Sequence, residues 1–199
     1  AWTSAARVRE FILGRALLRL AGVAWALHGD WLVVEPSGRP RVAAEAPGVD
    51  VSLSHAGEHV VVALARGGRV GVDVALHQPR ERALMDRFFH PEELAWMGTD
   101  VGRLHRAWTL KEAALKALGT GVQGDPRRVR IALETDALTV DGAGDTQPWC
   151  RHAAREGASG AVVLLRDPGC GVPSLSLHAV DPRQLHDLRV QHPSQGRTA

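Results

Sequence analysis

The chain has no tyrosine, only two cysteines and only two lysines among its 199 residues. Cys150 and Cys170 are isolated, which excludes a C-x-x-C motif and a disulfide framework and favours a reducing cytoplasm. The longest apolar runs, residues 60–65 and 161–165, are far shorter than the roughly 20 residues that span a bilayer. We therefore expect no membrane association and a cytoplasmic location.

The charge balance also excludes a class of partner. The formal net charge is only +2, and the basic residues are spread from Arg7 to Arg197 with no aromatic residues interleaved among them. A nucleic-acid-binding surface needs a concentrated basic patch, so no nucleic-acid partner is expected. The ten histidines show no zinc-ligand spacing such as H-E-x-x-H, which argues against a zinc site.

Hydrophobic periodicity and breaker residues predict a chain of mixed helices and strands. Residues 59–65 and 70–76 are two β-rich runs on either side of Arg66-Gly67-Gly68-Arg69, which predicts a hairpin with Asp73 in its second strand. The other predicted helices cover 3–20, 80–89, a segment starting at Pro91, and 101–118; the other predicted strands are 31–34, 49–55, 129–133, 137–140, 161–165 and 174–179.

This order of elements predicts an α+β fold built from two halves. The expected division is an N-terminal half over 1–69, a C-terminal half over 70–184, and a frayed polar tail over 185–199. No internal repeat in the sequence proves that the halves are related. A monomer is expected.

The two lysines lie only five residues apart, whereas the other 22 basic residues are all arginine. Trp108, Glu112 and Lys116 follow one another at four-residue spacing and form one row on the predicted helix, while Lys111 lies about 100° around the axis. A surface salt bridge between Glu112 and Lys116 is the simpler interpretation of this pattern alone.

A second acidic residue changes that interpretation. Asp73 is flanked by Gly71, Val72 and Val74 in an apolar strand, so it either points to solvent or needs a partner. Mg²⁺ uses one or two protein carboxylates and fills its other positions with water and phosphate oxygens. Asp73 and Glu112 with two lysines therefore indicate a magnesium and pyrophosphate site.

Two further segments carry weaker signals. His55 follows Ser54 at a strand end, where the ring could reach a ligand phosphate; a surface histidine is the simpler alternative. Gly38-Arg39-Pro40 is turn chemistry by itself.

In this order and spacing, the motifs resemble the Sfp-type 4′-phosphopantetheinyl transferases over roughly residues 7–121. The motif from Trp108 to Lys116 is close to diagnostic, and the others are weak alone. The matching segments are Gly38-Arg39-Pro40, Leu53-Ser54-His55, Gly71-Val72-Asp73-Val74, Arg87-Phe88-Phe89 with Glu92 and Glu93, and Trp108-Thr109-Leu110-Lys111-Glu112-Ala113 through Lys116 to Gly119 and Gly121.

The resemblance implies two similar α+β halves related by a pseudo-twofold axis, with coenzyme A bound in the cleft between them. It implies transfer of the 4′-phosphopantetheine arm of coenzyme A to a serine of an acyl or peptidyl carrier protein, as in polyketide and nonribosomal-peptide synthesis, with release of adenosine 3′,5′-bisphosphate. An alternative is a non-catalytic protein of the same fold that binds coenzyme A or a nucleotide; a third possibility is an unrelated globular domain.

The resemblance also implies roles for individual residues. Asp73 and Glu112 would hold Mg²⁺ on the pyrophosphate, and Glu112 is the candidate general base. Lys116 and His55 would contact the phosphates, with Lys111 nearby. Gly38, Arg39, Pro40 and Ser54 would border the adenine and its 3′-phosphate. Arg9 is the best match for a basic residue on the first helix, with Arg7 and Arg15 as alternatives. Phe88, Phe89 and the helix after Pro91 would lie near the carrier-docking surface, although an apolar pair is more often part of a core.

The chain departs from the family pattern at two places. Many members carry a glutamate two residues after the strand aspartate as a third metal ligand, and Ala75 stands there in this sequence. Water or a side chain such as Gln78 would have to fill that position. The strand and basic residues that usually precede the first helix are also absent from the given chain.

Overall fold

A computed structural model of the chain describes residues 5–35, 38–43, 48–78, 82–121, 124–132, 135, 137–155 and 157–171. The predicted strand over 174–179 and the predicted tail over 185–199 lie outside the described residues. In chain order the elements are α1 (Ala5–Ala24), β1 (Leu32–Val34), β2 (Pro40–Val42), β3 (Val49–Ala56), β4 (His59–Arg66), β5 (Gly68–Leu76), α2 (Arg82–Phe88), α3 (Pro91–Met97), α4 (Val101–Leu118), β6 (Val129–Ala132), β7 (Ala137–Val140), β8 (Gln147–Arg155) and β9 (Ala158–Arg166).

The N-terminal part packs helix α1 against the antiparallel hairpin of β3 and β4. Leu18, Trp31 and Val51 form its buried core. The predicted first helix is confirmed, but it continues past Gly22 to Ala24. At Gly22 the indole of Trp31 lies so close that an added Cβ would be 2.2 Å from it, so this position of the helix accommodates glycine alone.

The C-terminal part packs helix α4 on a three-stranded antiparallel sheet in the order β5, β9, β8. Its core is continuous from α2 and α3 through α4 to the sheet and to the β6–β7 hairpin. The predicted helices starting at Pro91 and over 101–118 are confirmed: Pro91 is the first residue of α3, and α4 ends at Gly119, whose φ is 84°. The predicted α+β class is likewise confirmed.

The predicted hairpin between 59–65 and 70–76 is wrong. Strand β4 pairs back onto β3 through a two-residue turn at Gly57, whose φ of 58° favours glycine, and β5 pairs with β9 from far along the chain. Asp73 does lie in β5, as predicted. The division into 1–69 and 70–184 stays a prediction; β5 itself begins at Gly68.

Side chains join β3 to the edge of β5, in place of backbone pairing. Alternate residues of β3 accept hydrogen bonds from alternate N–H groups of β5, so the two strands run side by side in the same direction. The three bonds run from Val70 N to Asp50 Oδ2 (2.7 Å), from Val72 N to Ser52 Oγ (3.0 Å) and from Val74 N to Ser54 Oγ (3.4 Å). This side-chain ladder brings the end of β3 beside Asp73.

Helix α4 lies against β5 at a backbone-to-backbone distance that only glycine allows. A Cβ built on Gly71 would be 1.8 Å from the carbonyl oxygen of Ala113 and 2.7 Å from the backbone nitrogen of Ala117. Because backbone atoms cannot rotate away, a side chain here would push α4 off the sheet. Gly71 thereby sets the distance between α4 and the strand that carries Asp73.

We predict that Gly71→Ala lowers the free energy of unfolding by on the order of 3 kcal/mol, because the added methyl overpacks the core. Urea unfolding followed by circular dichroism measures the change. Gly160→Ala on β9 is the matched control, because its Cβ would meet only the Asp73 carbonyl oxygen at an ordinary 3.6 Å. Equal midpoints for the two variants would contradict the proposed contact.

Candidate active site

A pocket of about 570 Å³ lies where β3, β5 and α4 meet. Its walls are polar and apolar in nearly equal parts, and they include two carboxylates. The lining residues are Ser54, His55, Ala56, Gly57, Asp73, Val74, Ala75, Leu76, Gln78, Phe88, Trp108, Glu112, Gly124 and Pro126. The predicted site residues Ser54, His55, Asp73 and Glu112 are therefore brought together, although they come from three separate elements.

Asp73 is an acidic group of the pocket that two side-chain donors hold in place. Its side chain is buried, and Oδ1 accepts hydrogen bonds from Ser54 Oγ at 2.7 Å and from Lys116 Nζ at 2.8 Å. Lys116 Nζ also donates to the Val72 carbonyl oxygen at 3.0 Å. An ammonium group has three N–H donors, so within the described part of the chain one donor of Lys116 remains for a ligand.

Glu112 supplies the second carboxylate of the pocket. Its side chain is 9% exposed and lies one helical turn after Trp108, which lines the same wall. The predicted row on α4 is thus confirmed: Trp108 and Glu112 reach the pocket, and Lys116 reaches Asp73. Across the ranges that the structure describes, no cluster of three or more His, Cys, Asp or Glu side chains is arranged to hold a metal ion. A cation bound here would have two protein carboxylates.

Ala75 faces this pocket from the same side of β5 as Asp73, because residues two apart on a strand share a face. Its side chain is only a methyl group, so a cation bound in the pocket would take water or a ligand atom at this position. Gln78 also lines the pocket, and its backbone N–H donates to His105 Nε2 at 3.2 Å.

His55 lies at the rim of the pocket with an acidic neighbour that the motif did not predict. Its Nδ1 is 3.2 Å from Glu10 Oε2 on α1, and the His55 side chain is 46% exposed. Glu10 lies 45 positions earlier in the chain, and no local pattern marks it. The exposed ring is accessible to a ligand.

The turn at Gly38, Arg39 and Pro40 contacts both α1 and α4. Arg15 on α1 donates to the Gly38 carbonyl oxygen at 2.8 Å, and Arg39 donates to the Lys116 carbonyl oxygen at 3.3 Å. Burial lowers the pKa of Arg15. Arg9, the sequence-based choice, lies exposed on α1, whereas the alternative Arg15 reaches this turn. The side chain of Arg7 lies outside the described part of the chain.

Lys111 is not brought to the pocket, which corrects the predicted contact with a ligand phosphate. Its side chain is fully buried, and Nζ forms a 2.9 Å ion pair with Glu93 Oε2. Nζ also donates to the carbonyl oxygens of Pro126 and Val129. All three ammonium donors are therefore used inside the core. Desolvation lowers the pKa of Lys111, and the charge of Glu93 opposes that shift.

Glu93 holds several elements together through one buried carboxylate. Besides Lys111, it accepts the backbone N–H of His90 at 2.9 Å and that of Ile131 at 3.2 Å. Glu93 occupies the third position of α3, where a capping glutamate reaches back to the helix start. The network joins α3 and α4 to the segment that carries Pro126, a residue of the pocket wall.

The two phenylalanines have different environments. Phe88 lines the pocket and packs against Trp108, with ring centroids 5.4 Å apart. Phe89 is 1% exposed and belongs to the core, which agrees with the simpler interpretation of the apolar pair. Among the helices that the structure describes, none is both long enough and apolar enough to span a membrane.

The fold and the pocket together define an α+β protein with one pocket carboxylate on β5, a second on α4, and a lysine of α4 bonded to the first. Residues 69–164 match the family model of the 4′-phosphopantetheinyl transferase superfamily, which covers β5, α4 and the pocket's acidic residues. The resemblance predicted from the motifs is confirmed by this match, which places residues 69–164 of the chain among proteins similar to that superfamily.

Curated relatives agree with the family match. The chain is 34% identical over 177 residues to a phosphopantetheinyl transferase of Thraustochytrium sp., covering 71% of this chain and 61% of the relative. It is 29% identical over 121 residues to the 4′-phosphopantetheinyl transferase psf-1 of Bacillus pumilus, covering 57% of this chain and 52% of the relative. The chain thus spans only part of the length of the relatives it matches.

Among solved structures, the holo-[acyl-carrier-protein] synthase of Helicobacter pylori in complex with coenzyme A matches 48% of this chain and 98% of its own. The sequence identity is 18% and the TM-score is 0.43.

The buried pair of Lys111 and Glu93 should matter for stability. We predict that Glu93→Gln lowers the free energy of unfolding by about 3 to 5 kcal/mol at neutral pH, because it leaves a buried ammonium without a counter-charge. Urea unfolding measures this. The control is Glu92→Gln, whose ion pair with Arg130 is exposed on both sides (58% and 59%) and should contribute under about 1 kcal/mol.

The pH dependence of this variant gives a second check. Lys111 has a folded-state pKa below its usual 10.5. Between the folded and unfolded values the unfolded chain binds more protons, so stability rises with pH. Glu93 raises the pKa of Lys111, so Glu93→Gln lowers this folded-state pKa further and strengthens the rise of stability with pH. The loss of stability caused by Glu93→Gln should therefore shrink as the pH approaches 10.5. A loss that stays constant with pH would contradict the buried charge.

Proposed function

We propose that this chain transfers the 4′-phosphopantetheine arm of coenzyme A to a serine of an acyl or peptidyl carrier protein, with Mg²⁺ and with release of adenosine 3′,5′-bisphosphate. The observation that carries the proposal is the arrangement of Asp73, Glu112 and Lys116 around one pocket, with two carboxylates lining it and an ammonium beside them. The family match and the names of the relatives support the same reaction. As predicted from the sequence, we propose a cytoplasmic monomer.

The donor set suits a magnesium ion. Mg²⁺ binds hard oxygen ligands, commonly one or two carboxylates, and keeps water or phosphate oxygens in its other positions. Asp73 and Glu112 supply two such carboxylates, and the small Ala75 leaves room beside them. When bound, the ion would neutralise charge on the pyrophosphate of coenzyme A.

Lys116 adds a fixed positive charge at the same place. Two of its donors are bound to Asp73 Oδ1 and to the Val72 carbonyl oxygen, so the ammonium is held in position before a ligand arrives. The remaining donor can bind a phosphate oxygen. Such a preorganised charge stabilises the transition state of phosphoryl transfer without reorganisation.

Residues at the pocket rim suit the rest of the coenzyme A molecule. His55 is exposed beside the pocket and can bind a phosphate oxygen. We assign the 3′-phosphate and the adenine to the turn at Gly38, Arg39 and Pro40, with Arg15 in place of Arg9 as the basic residue of α1. The apolar wall of Phe88 and Trp108 suits the less polar pantetheine arm.

The chemical step is a displacement at the β-phosphorus of coenzyme A. The carrier serine oxygen forms the new P–O bond, the bond from that phosphorus to the bridging oxygen breaks, and the bridging oxygen leaves on adenosine 3′,5′-bisphosphate. Glu112 is the candidate general base that takes the serine proton, directly or through water. Positioning and charge neutralisation supply most of the rate acceleration in such transfers.

The proposal is tested by incubating the protein with coenzyme A, Mg²⁺ and an apo carrier protein, followed by intact-mass analysis of the carrier. Asp73→Asn and Glu112→Gln should each lower turnover by about 100-fold or more. Asp50→Asn is the matched control, because Asp50 lies on β3, accepts a strand N–H of β5 rather than lining the pocket, and keeps an acceptor as asparagine. Chelation with EDTA should stop the reaction.

The outcomes separate the two candidate functions. An adduct that depends on Asp73 and Glu112 supports the transferase. Coenzyme A binding without any adduct favours the non-catalytic alternative, for which the alanine at position 75 is the motivating observation. Unchanged turnover in both acidic variants would overturn the assignment of the site.

Lys116→Arg should also impair turnover, because the planar guanidinium cannot occupy the position of a compact ammonium beside Asp73. The kinetic measurement is kcat with saturating coenzyme A, and urea unfolding checks that the variant is folded. Wild-type turnover in this variant would show that the position requires only a positive charge.

A further inference from the structure

Ser54 has a fixed hydrogen-bonding arrangement that differs from the ligand contact expected from its motif. Its side chain is 7% exposed, and Oγ lies 2.7 Å from Asp73 Oδ1 and 3.4 Å from the backbone nitrogen of Val74. The Val74 N–H can only donate, so the serine oxygen accepts there. The single hydroxyl hydrogen is then donated to the carboxylate of Asp73.

We propose that Ser54 is a positioning residue that orients the Asp73 carboxylate toward a divalent cation in the pocket. Ser54 and Lys116 both donate to Oδ1 of Asp73, which holds the carboxylate from one side. Oδ2 is then the oxygen presented to a cation. Hydrogen bonds of this kind orient carboxylate ligands and raise metal affinity. This inference rests on the proposed function.

The geometry gives the N-terminal part of the chain a direct role in the site. Asp73 belongs to β5, whereas Ser54 is the last member of the side-chain ladder that β3 places along β5. The bond from Ser54 to the carboxylate therefore forms only when β3 is docked on the edge of the C-terminal sheet.

The same ladder provides an internal comparison. Ser52 is equally buried at 6% exposed, and its Oγ accepts the Val72 N–H at 3.0 Å just as Ser54 accepts that of Val74. The bond to a site carboxylate is what distinguishes Ser54 from Ser52. Replacing either serine by alanine removes the same kind of strand contact, and only one replacement removes the bond to Asp73.

The experiment compares Ser54→Ala with Ser52→Ala, using Mn²⁺ as the probe in the presence of coenzyme A. Binding of Mn²⁺ is followed by the loss of its free electron paramagnetic resonance signal. Ser54→Ala should weaken Mn²⁺ binding about 10- to 100-fold, and Ser52→Ala should leave it near the wild-type value. Both variants should shift the urea midpoint by similar amounts. Ser54→Thr, which keeps the hydroxyl, should restore Mn²⁺ binding.

A double-variant measurement tests whether Ser54 acts through Asp73. In the Asp73→Asn background, adding Ser54→Ala should weaken Mn²⁺ binding by much less than it does in the wild type. An equal further loss would overturn the positioning role. So would equal Mn²⁺ affinities for Ser54→Ala and Ser52→Ala when the wild type binds Mn²⁺ and modifies the carrier.

Failure of the proposed function has a different signature. If the wild-type protein neither binds Mn²⁺ with coenzyme A nor forms a carrier adduct, the transferase assignment and this inference fall together. If the wild type does both and only the serine comparison fails, the transferase assignment stands.

Discussion

The ion pair between Asp73 and Lys116 is the interaction on which the site depends. A carboxylate buried within a sheet is costly unless charge and hydrogen bonds compensate it, and here α4 supplies the ammonium while β3 supplies a hydroxyl. The pair forms only because Gly71 lets α4 approach β5 closely. Three elements that are distant in sequence thereby meet at one carboxylate oxygen, and the pocket opens beside it.

The two lysines of α4 have different functions because of their positions around the helix. Five residues correspond to about 140° around the axis, so side chains at 111 and 116 cannot share a face. Lys111 enters the core, where Glu93 compensates its charge, and Lys116 reaches the strand that borders the pocket. The first lysine is part of the core behind the pocket wall, and the second belongs to the proposed site.

The local signals for helices were strong, and those for strand pairing were weak. Pro91 with two glutamates and Gly119 mark helix ends through backbone chemistry that acts within one turn, so α3 and α4 were predictable. The pairing partner of β5 was not predictable. Strand β9 lies almost ninety residues further along the chain, and many strands show the same alternation of apolar and polar residues. β8 was missed because most of its residues are exposed at the sheet edge and show little hydrophobic pattern.

The sequence by itself determined the chemical groups of the site: Asp73 in an apolar strand, and Trp108, Glu112 and Lys116 in one row of a helix, an order that indicated the family. Only the tertiary structure decided their partners. It placed Lys111 in the core, paired Glu10 with His55, and bonded Ser54 to Asp73. Helical spacing fixes which residues share a face, but the contacts between faces depend on how helices and strands pack, which no local pattern records.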